Sequence, residues 1–100
     1  MNQFEITVRN ADSRGLAPCC RPVFAWKCAC PPEAGGREYD QYTVQVAADE
    51  EFRRLLFLRD TCRSYIEFDS APLHKNKIYF IRVRSGLGKW SEGSFMTGNQ

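Results

Sequence analysis

The architecture of this protein can be predicted from one segment, Leu73-His74-Lys75-Asn76-Lys77-Ile78-Tyr79-Phe80-Ile81-Arg82-Val83. Tyr79, Ile81 and Val83 recur with a period of two, which is typical of a strand with one buried face. Leu73 precedes Tyr79 by six residues, with turn residues between them. This spacing lets a buried tyrosine hydroxyl form a hydrogen bond with the preceding corner, which offsets the cost of burying a phenol. The segment therefore predicts a corner followed by a strand.

Six further segments have strand character, and turn residues separate them. The clearest is 42–47, in which apolar and polar residues alternate. The segment 47–58 is ambiguous: Asp49-Glu50-Glu51 favours a turn, and we expect a short strand only after it. Prolines and glycines at 31–36 predict a surface loop. The predicted strands are 4–8, 23–30, 42–47, 55–58, 65–69, 79–83 and 90–97.

These seven strands predict an all-β fold, a seven-stranded antiparallel β-sandwich of the immunoglobulin-like class whose two inner faces share one core. We expect Trp26, Tyr42 and Tyr79 to meet in that core, with Leu73 at the corner. The corner, Trp26 and the strand that holds Tyr42 together resemble a fibronectin type III domain, and the resemblance covers almost the whole chain. It implies that residues 1–100 form a single domain.

Five short motifs carry a closer resemblance. They are Arg21-Pro22-Val23-Phe24-Ala25-Trp26, Tyr42-Thr43-Val44-Gln45-Val46-Ala47, Arg82-Val83-Arg84, Gly88-Lys89-Trp90-Ser91-Glu92 and Ser94-Phe95-Met96-Thr97-Gly98. Together they resemble the N-terminal fibronectin type III-like module of bacterial α-L-rhamnosidases. The resemblance implies a non-catalytic structural or interaction module, a fragment of a larger multidomain inverting glycoside hydrolase. In that family the acid and base carboxylates lie in a separate helical barrel, so the resemblance assigns no catalytic residue to this chain.

A second resemblance concerns Trp90-Ser91-Glu92-Gly93-Ser94. This segment is similar to the tryptophan–serine box of cytokine receptors, in which arginines stack on the indole. Arg82 and Arg84 share the outward parity of their strand, so both can reach Trp90. Gly93 stands where the box has its second tryptophan, which removes half of the stack. A receptor-like adhesion domain is therefore one alternative function.

Outward aromatic residues, among them Trp90, Tyr39, Tyr65 and Phe80, indicate another alternative. Flat hydrophobic area with a few polar anchors binds the apolar face of a sugar ring, so these residues predict a carbohydrate-binding module. Outward aromatic residues also pack across strands or against neighbouring domains, and contact with other domains of the same polypeptide is the favoured interpretation. The surface in both interpretations consists of Trp90, Arg82, Arg84, Phe80 and Tyr65.

The sequence predicts neither catalysis nor a bound metal. His74 is the sole histidine and lies in a turn. A pair in which His74 acts as the base for a Cys62 nucleophile needs a third orienting group and an oxyanion site, and nothing in the sequence supports either. Asp49-Glu50-Glu51 lacks the spacing of a calcium loop and is interpreted as a solvated turn. We therefore expect no catalytic residue, no metal site and no cofactor.

Cysteine usage bears on the cellular compartment. The five cysteines, at positions 19, 20, 28, 30 and 62, are an odd number, and their spacing fits no common zinc pattern. Cys28 and Cys30 share the parity of Trp26, so we expect them to pack as small hydrophobic residues. Free thiols and the lack of a signal peptide favour the cytoplasm, and a secreted or periplasmic parent protein is left open.

The overall composition excludes several function classes. The 100 residues are 43% hydrophobic and 26% charged, which is ordinary for one globular domain and unlike a disordered chain. A formal net charge of +2 lacks the concentrated basic surface that nucleic acid binding requires. No segment has the roughly 20 apolar residues needed to cross a bilayer. We therefore expect neither nucleic acid nor a membrane as a partner.

Overall fold

The computed structural model describes residues 4–28, 41–86 and 88–99. The side chain of Cys28 lies outside this description, and so do the predictions for Cys30, for the loop at 31–36 and for Tyr39. Within the described residues the chain forms β-strands and no helix. The strands are β1 (Phe4–Val8), β2 (Val23–Cys28), β3 (Tyr42–Ala47), β4 (Leu55–Thr61), β5 (Tyr65–Glu67), β6 (Ile78–Ser85) and β7 (Ser91–Met96).

The strands form two sheets that pack face to face. One sheet has the order β1-β2-β5, and the other has the order β4-β3-β6-β7. Every pair of neighbouring strands is antiparallel. The predicted fold class, a seven-stranded antiparallel β-sandwich of the immunoglobulin-like, fibronectin type III type, is therefore confirmed.

The strand β4 is longer than the sequence predicts. It continues to Thr61, past the predicted end at residue 58. Its register with β3 places Asp60 opposite Thr43, and the Thr43 hydroxyl donates a hydrogen bond to the Asp60 carboxylate at 2.7 Å. A polar cross-strand pair of this kind continues the ladder where the apolar residues end.

The last strand, β7, is shorter than predicted at both ends. Trp90 precedes it, and Thr97 follows it in an isolated parallel bridge to Ala17. The Ala17 amide donates a hydrogen bond to the Met96 carbonyl at 2.8 Å. The Gly98 amide in turn donates to the Ala17 carbonyl at 3.0 Å. The segment before β2 is thereby tied to the end of β7.

The corner before β6 forms as its spacing predicts. Tyr79 is 1% exposed, and its hydroxyl oxygen accepts a hydrogen bond from the His74 backbone amide at 2.8 Å. Leu73 is also buried, and its amide donates to the Cys19 carbonyl at 2.9 Å. The buried phenol is therefore satisfied by the corner, and the corner is attached to the segment that leads into β2.

Aromatic side chains from both sheets fill the space between them. Trp26 on β2 and Tyr42 on β3 meet edge to face, with ring centroids 5.4 Å apart. Tyr79 on β6 stacks on Phe95 of β7 at 5.8 Å. Trp26 and Tyr79 are buried, whereas Tyr42 is half-buried and packs against the core. Because burying each large apolar side chain contributes about 1.5–3 kcal/mol, these rings are a major part of what holds the two sheets together.

We expect Tyr79→Phe to lower the free energy of unfolding by about 1–3 kcal/mol, because it leaves the part-buried His74 amide without its acceptor. The matched control is Tyr65→Phe, which removes an exposed hydroxyl bonded to Arg63 and should change stability by less than about 0.5 kcal/mol. Urea denaturation measures both values. Equal losses in the two variants would contradict the role assigned to the corner.

Candidate interaction surface

Every second side chain of the four-stranded sheet points away from the core, and we call the surface they form the outer face. The strand register arranges these side chains in cross-strand rows. The rows are Asp60, Thr43 and Arg84, then Leu58, Gln45, Arg82 and Glu92, then Leu55, Ala47, Phe80 and Ser94, and finally Ile78 opposite Met96. The outer face is therefore mainly apolar near Ile78 and mainly polar near Arg84.

At the polar end of the outer face, Trp90 lies between two arginines. The Cζ atoms of Arg82 and Arg84 are 4.3 and 4.5 Å from the centroid of the Trp90 ring. Side chains two residues apart on a strand are separated by about 6.4–6.8 Å, so the indole fits between the two guanidinium groups. The stacking that the sequence predicts at Trp90 is present. Each such contact contributes about 0.5–1 kcal/mol at an exposed site.

Phe52 extends this stack on the other side of Arg82. The Arg82 Cζ atom is 4.3 Å from the centroid of the buried Phe52 ring. The order Phe52, Arg82, Trp90, Arg84 defines what we call the arginine–aromatic stack. Phe52 has a positive φ of 57°, which bulky residues rarely adopt. The sequence analysis missed this residue, because strand alternation carries no signal for a phenylalanine in a turn.

The turn that holds Phe52 is fixed by Asp49. The Asp49 carboxylate accepts hydrogen bonds from the backbone amides of Arg54 at 2.8 Å and Arg53 at 3.1 Å. The Phe52 amide donates to the Asp49 carbonyl at 3.2 Å. These amides, that of Arg54 most strongly, lower the pKa of Asp49 because they stabilise its charged form. The acidic run is a turn, as predicted, and Asp49 closes it.

The arginines of the stack are held partly out of water. The Arg82 Nε atom donates a hydrogen bond to the Gln45 Oε1 atom at 2.7 Å. Burial lowers the pKa of Arg82, although the Glu92 carboxylate opposes this effect. The Arg84 Nε atom is buried and has no hydrogen-bond partner among the described residues. Such cations favour a partner that presents carboxylate or carbonyl oxygens.

The stack restricts access to the Trp90 ring. Both guanidinium groups lie against the indole, so they compete with a sugar ring for its aromatic surface. Phe80 is half-buried on the same outer face, in the next row towards Ile78. Phe80 and the arginine–aromatic stack therefore lie in neighbouring rows of the outer face.

Tyr65 lies on the opposite side of the sandwich from Trp90. It belongs to β5, which pairs with β2 in the three-stranded sheet. The Cζ atoms of Arg9 and Arg63 are 5.4 and 5.8 Å from its ring centroid, and Arg63 donates a hydrogen bond to its hydroxyl at 2.7 Å. The predicted single surface containing Tyr65 together with Trp90 and Phe80 is therefore not formed, because the strands belong to different sheets.

The outer face exposes large apolar side chains in two places. Ile78 and Met96, at its apolar end, are 53% and 41% exposed, and Leu58, on the edge strand β4 in the row of Arg82, is 50% exposed. Ile78 and Met96 stand directly opposite each other on neighbouring strands. Scattered exposed apolar residues are ordinary, whereas adjacent ones mark an interaction site. The outer face therefore combines an apolar area with the cationic stack at its border.

Side chains with catalytic potential do not converge in the part of the chain that the structure describes. His74 is exposed, and so is Cys62. No group of three His, Cys, Asp or Glu side chains among the described residues could hold a metal ion. Cys19, Cys20 and Cys62 are free thiols. The described residues also include no helix long and apolar enough to cross a membrane.

Comparison with known proteins bears on the fold. No protein-family model matches the chain, and no curated protein matches it. The solved structure of PhoD is similar, with a TM-score of 0.65 and 21% sequence identity. The match covers 92% of this chain, and the chain spans 18% of the length of PhoD. At this identity the likeness shows the fold alone, and it agrees with an immunoglobulin-like β-sandwich.

The lowered pKa of Asp49 makes the turn at Phe52 sensitive to acid. A carboxylate whose pKa is lower in the folded state stabilises the protein fully above its ordinary pKa of 3.8, and this contribution is lost as the pH falls through the folded-state value. We therefore expect Asp49→Asn to have a lower free energy of unfolding than the wild type at neutral pH, and this difference should shrink below pH 3.8. Urea denaturation of both proteins across this pH range measures the difference. Glu50→Gln, the same charge change at the exposed neighbouring residue, should show no such trend; a trend of equal size there would refute the assignment to Asp49.

The covered indole gives an expected result for sugar binding. Titration with L-rhamnosides should produce no saturable change in tryptophan fluorescence, because both guanidinium groups already lie against the Trp90 ring. Trp90→Ala, which retains Trp26, is the control for effects elsewhere in the protein. Saturable quenching in the wild type that is absent from Trp90→Ala would instead support a carbohydrate-binding module.

Proposed function

We propose that this chain is a non-catalytic interaction module that docks, through its outer face, on a neighbouring domain of the same polypeptide. The observation that carries this proposal is that the outer face exposes Ile78 and Met96 side by side at one end and Leu58 on its edge strand, next to the arginine–aromatic stack. Interfaces between proteins have the same plan, an apolar centre and a polar rim in which arginine and aromatic residues are frequent. Interfaces between domains of one chain resemble them.

The parent protein that we propose is a bacterial α-L-rhamnosidase, an inverting glycoside hydrolase of carbohydrate metabolism. The support for this part is the set of sequence motifs at Trp26, Tyr42, Arg82, Trp90 and Phe95, and the likeness to PhoD concerns the fold alone. In such an enzyme two carboxylates act on opposite faces of a terminal L-rhamnose. Both carboxylates would lie outside this chain, and the module would position or stabilise the domain that carries them.

A receptor-like adhesion domain is the second candidate, and the stack on Trp90 favours it. The two arginines lie against the indole as in the tryptophan–serine box, although Gly93 provides no second indole. This candidate predicts a separate protein as the partner and an oxidising compartment. Among the described cysteines, Cys19, Cys20 and Cys62 are unpaired thiols, which favours the enzyme module instead.

Hydroxyl-radical footprinting tests the docking of the outer face. The full natural polypeptide and residues 1–100 alone are oxidised in parallel and analysed by mass spectrometry. We expect Met96 and Leu58 to be oxidised more slowly in the full polypeptide, since a neighbouring domain covers them. Tyr65, which is 37% exposed on the opposite side of the sandwich, serves as the internal control and should react equally in both samples.

Two results would contradict the proposal. Protection of Tyr65 without protection of Met96 would mean that the other sheet is the docking surface. A natural reading frame that encodes no further domain would remove the neighbouring domain altogether. Leu58→Glu combined with Ile78→Glu, both on exposed side chains, should abolish the protection of Met96 while leaving the isolated chain folded.

A further inference from the structure

Each sheet has two edge strands, and three of the four edges are covered or short. The edge of β7 is bonded to Ala17. The edge of β1 lies beside β7, where the Phe4 amide donates to the Ser91 hydroxyl oxygen at 3.0 Å. β5 has only three residues. β4 differs, because it is seven residues long and no strand among the described residues pairs with its outer edge.

Alternate backbone groups of β4 point to this open edge. In an antiparallel ladder, opposing residues alternate between hydrogen-bonded and non-hydrogen-bonded pairs. The Gly86 amide donates to the Gln41 carbonyl at 3.0 Å, so the odd-numbered residues of β3 bond to β6. The even-numbered residues of β3 therefore bond to the odd-numbered residues of β4. It follows that the amides of Leu58 and Asp60 are directed away from β3.

The edge of β4 is only partly protected. Edge strands in natural proteins often carry proline, charged residues or a β-bulge, which oppose pairing. β4 has no lysine or proline and exposes Leu55, Leu56 and Leu58, but it carries Arg59 and Asp60, and its register with β3 shifts between Leu55 and Phe57, so the regular part of the edge is Phe57 to Thr61. Arg59 covers the edge in part, since its Nη1 atom donates to the Leu58 carbonyl at 2.9 Å and its Nη2 atom lies 3.3 Å from the Asp69 carboxylate. Both side chains of this ion pair are about half exposed. Such pairs contribute little to stability, so an incoming strand can displace the guanidinium group.

We propose that β4 pairs with β4 of a second copy of this chain, antiparallel about a two-fold axis at Leu58, so that two four-stranded sheets become one of eight strands. The strand is self-complementary in this register. Leu58 stands opposite itself, and Arg59 stands opposite Phe57 of the second copy. Within one chain the Arg59 Cζ atom already lies 4.9 Å from the Phe57 ring centroid, so this contact is compatible with both side chains. A pairing centred on Arg59 would place two guanidinium groups opposite each other, which is unfavourable.

This association is independent of the proposed docking function. It uses the edge of the four-stranded sheet, whereas the neighbouring domain would cover its outer face. The two proposals can therefore fail separately. Footprinting at Met96, which lies on β7 far from the β4 edge, tests the face, and the concentration dependence of the isolated chain tests the edge.

Amide hydrogen exchange tests the register residue by residue. Rates are measured by NMR at about 20 µM and at about 1 mM, concentrations that bracket the Kd of weak complexes. We expect the amides of Leu58 and Asp60 to exchange about fivefold more slowly at the higher concentration. The amides of Phe57 and Arg59, which already bond to β3, should keep their rates. Unchanged rates at Leu58 and Asp60 would overturn the proposal.

Sedimentation velocity over the same range separates edge pairing from packing between outer faces. Leu58→Lys places two lysines together at the two-fold axis and should raise the Kd about tenfold or more. The matched control is Ile78→Lys, an equally exposed residue on the outer face of the inner strand β6, which should leave the Kd unchanged. Equal weakening by both substitutions would mean that the faces pack together, and a monomer throughout the range would mean that the edge binds no second copy. Either result refutes the proposal.

Discussion

The register of β6 is the constraint on which the rest of the structure depends. β6 lies between β3 and β7, so its single alternation of side chains determines both surfaces of the four-stranded sheet. Tyr79, Ile81 and Val83 face the core, and the two arginines face outwards. A slip of one residue would bury guanidinium groups among apolar side chains, at a cost that no other contact here offsets. The hydrogen bond from the His74 amide to the Tyr79 hydroxyl anchors this register where the strand begins.

The same strand supports two aromatic assemblies of different character. On the inside, the rings of Tyr79 and Phe95 stack in a space from which water is excluded. On the outside, Phe52 and Trp90 enclose Arg82, so that aromatic rings and a cation share one partly hydrated surface. The inner assembly joins the two sheets, whereas the outer one preorders long arginine side chains before any partner arrives. A partner therefore meets side chains that have already lost much of their conformational freedom.

Strand alternation predicted the direction of side chains well, because direction is a local property of the extended backbone. It could not assign strands to sheets: Tyr65 and Trp90 both face outwards, yet pairing partners distant in sequence place them on opposite sides of the molecule. Phe52 escaped prediction for a related reason. Its left-handed backbone conformation is imposed by hydrogen bonds to Asp49 and by packing on Arg82, neither of which is a propensity of phenylalanine.

The parallel bridge at Ala17 has a mechanical consequence. Phe4, at the start of β1, lies beside Ser91 at the start of β7, whereas Ala17 is bonded to the far end of β7. The first and last described residues therefore lie towards opposite poles of the sandwich. Tension applied between them would drag β7 along its neighbours and load both Ala17 hydrogen bonds in shear at the same moment. Bonds strained together resist more force than bonds peeled apart in turn, so the two Ala17 bonds would add to the resistance of the β6–β7 ladder on the other side of the strand.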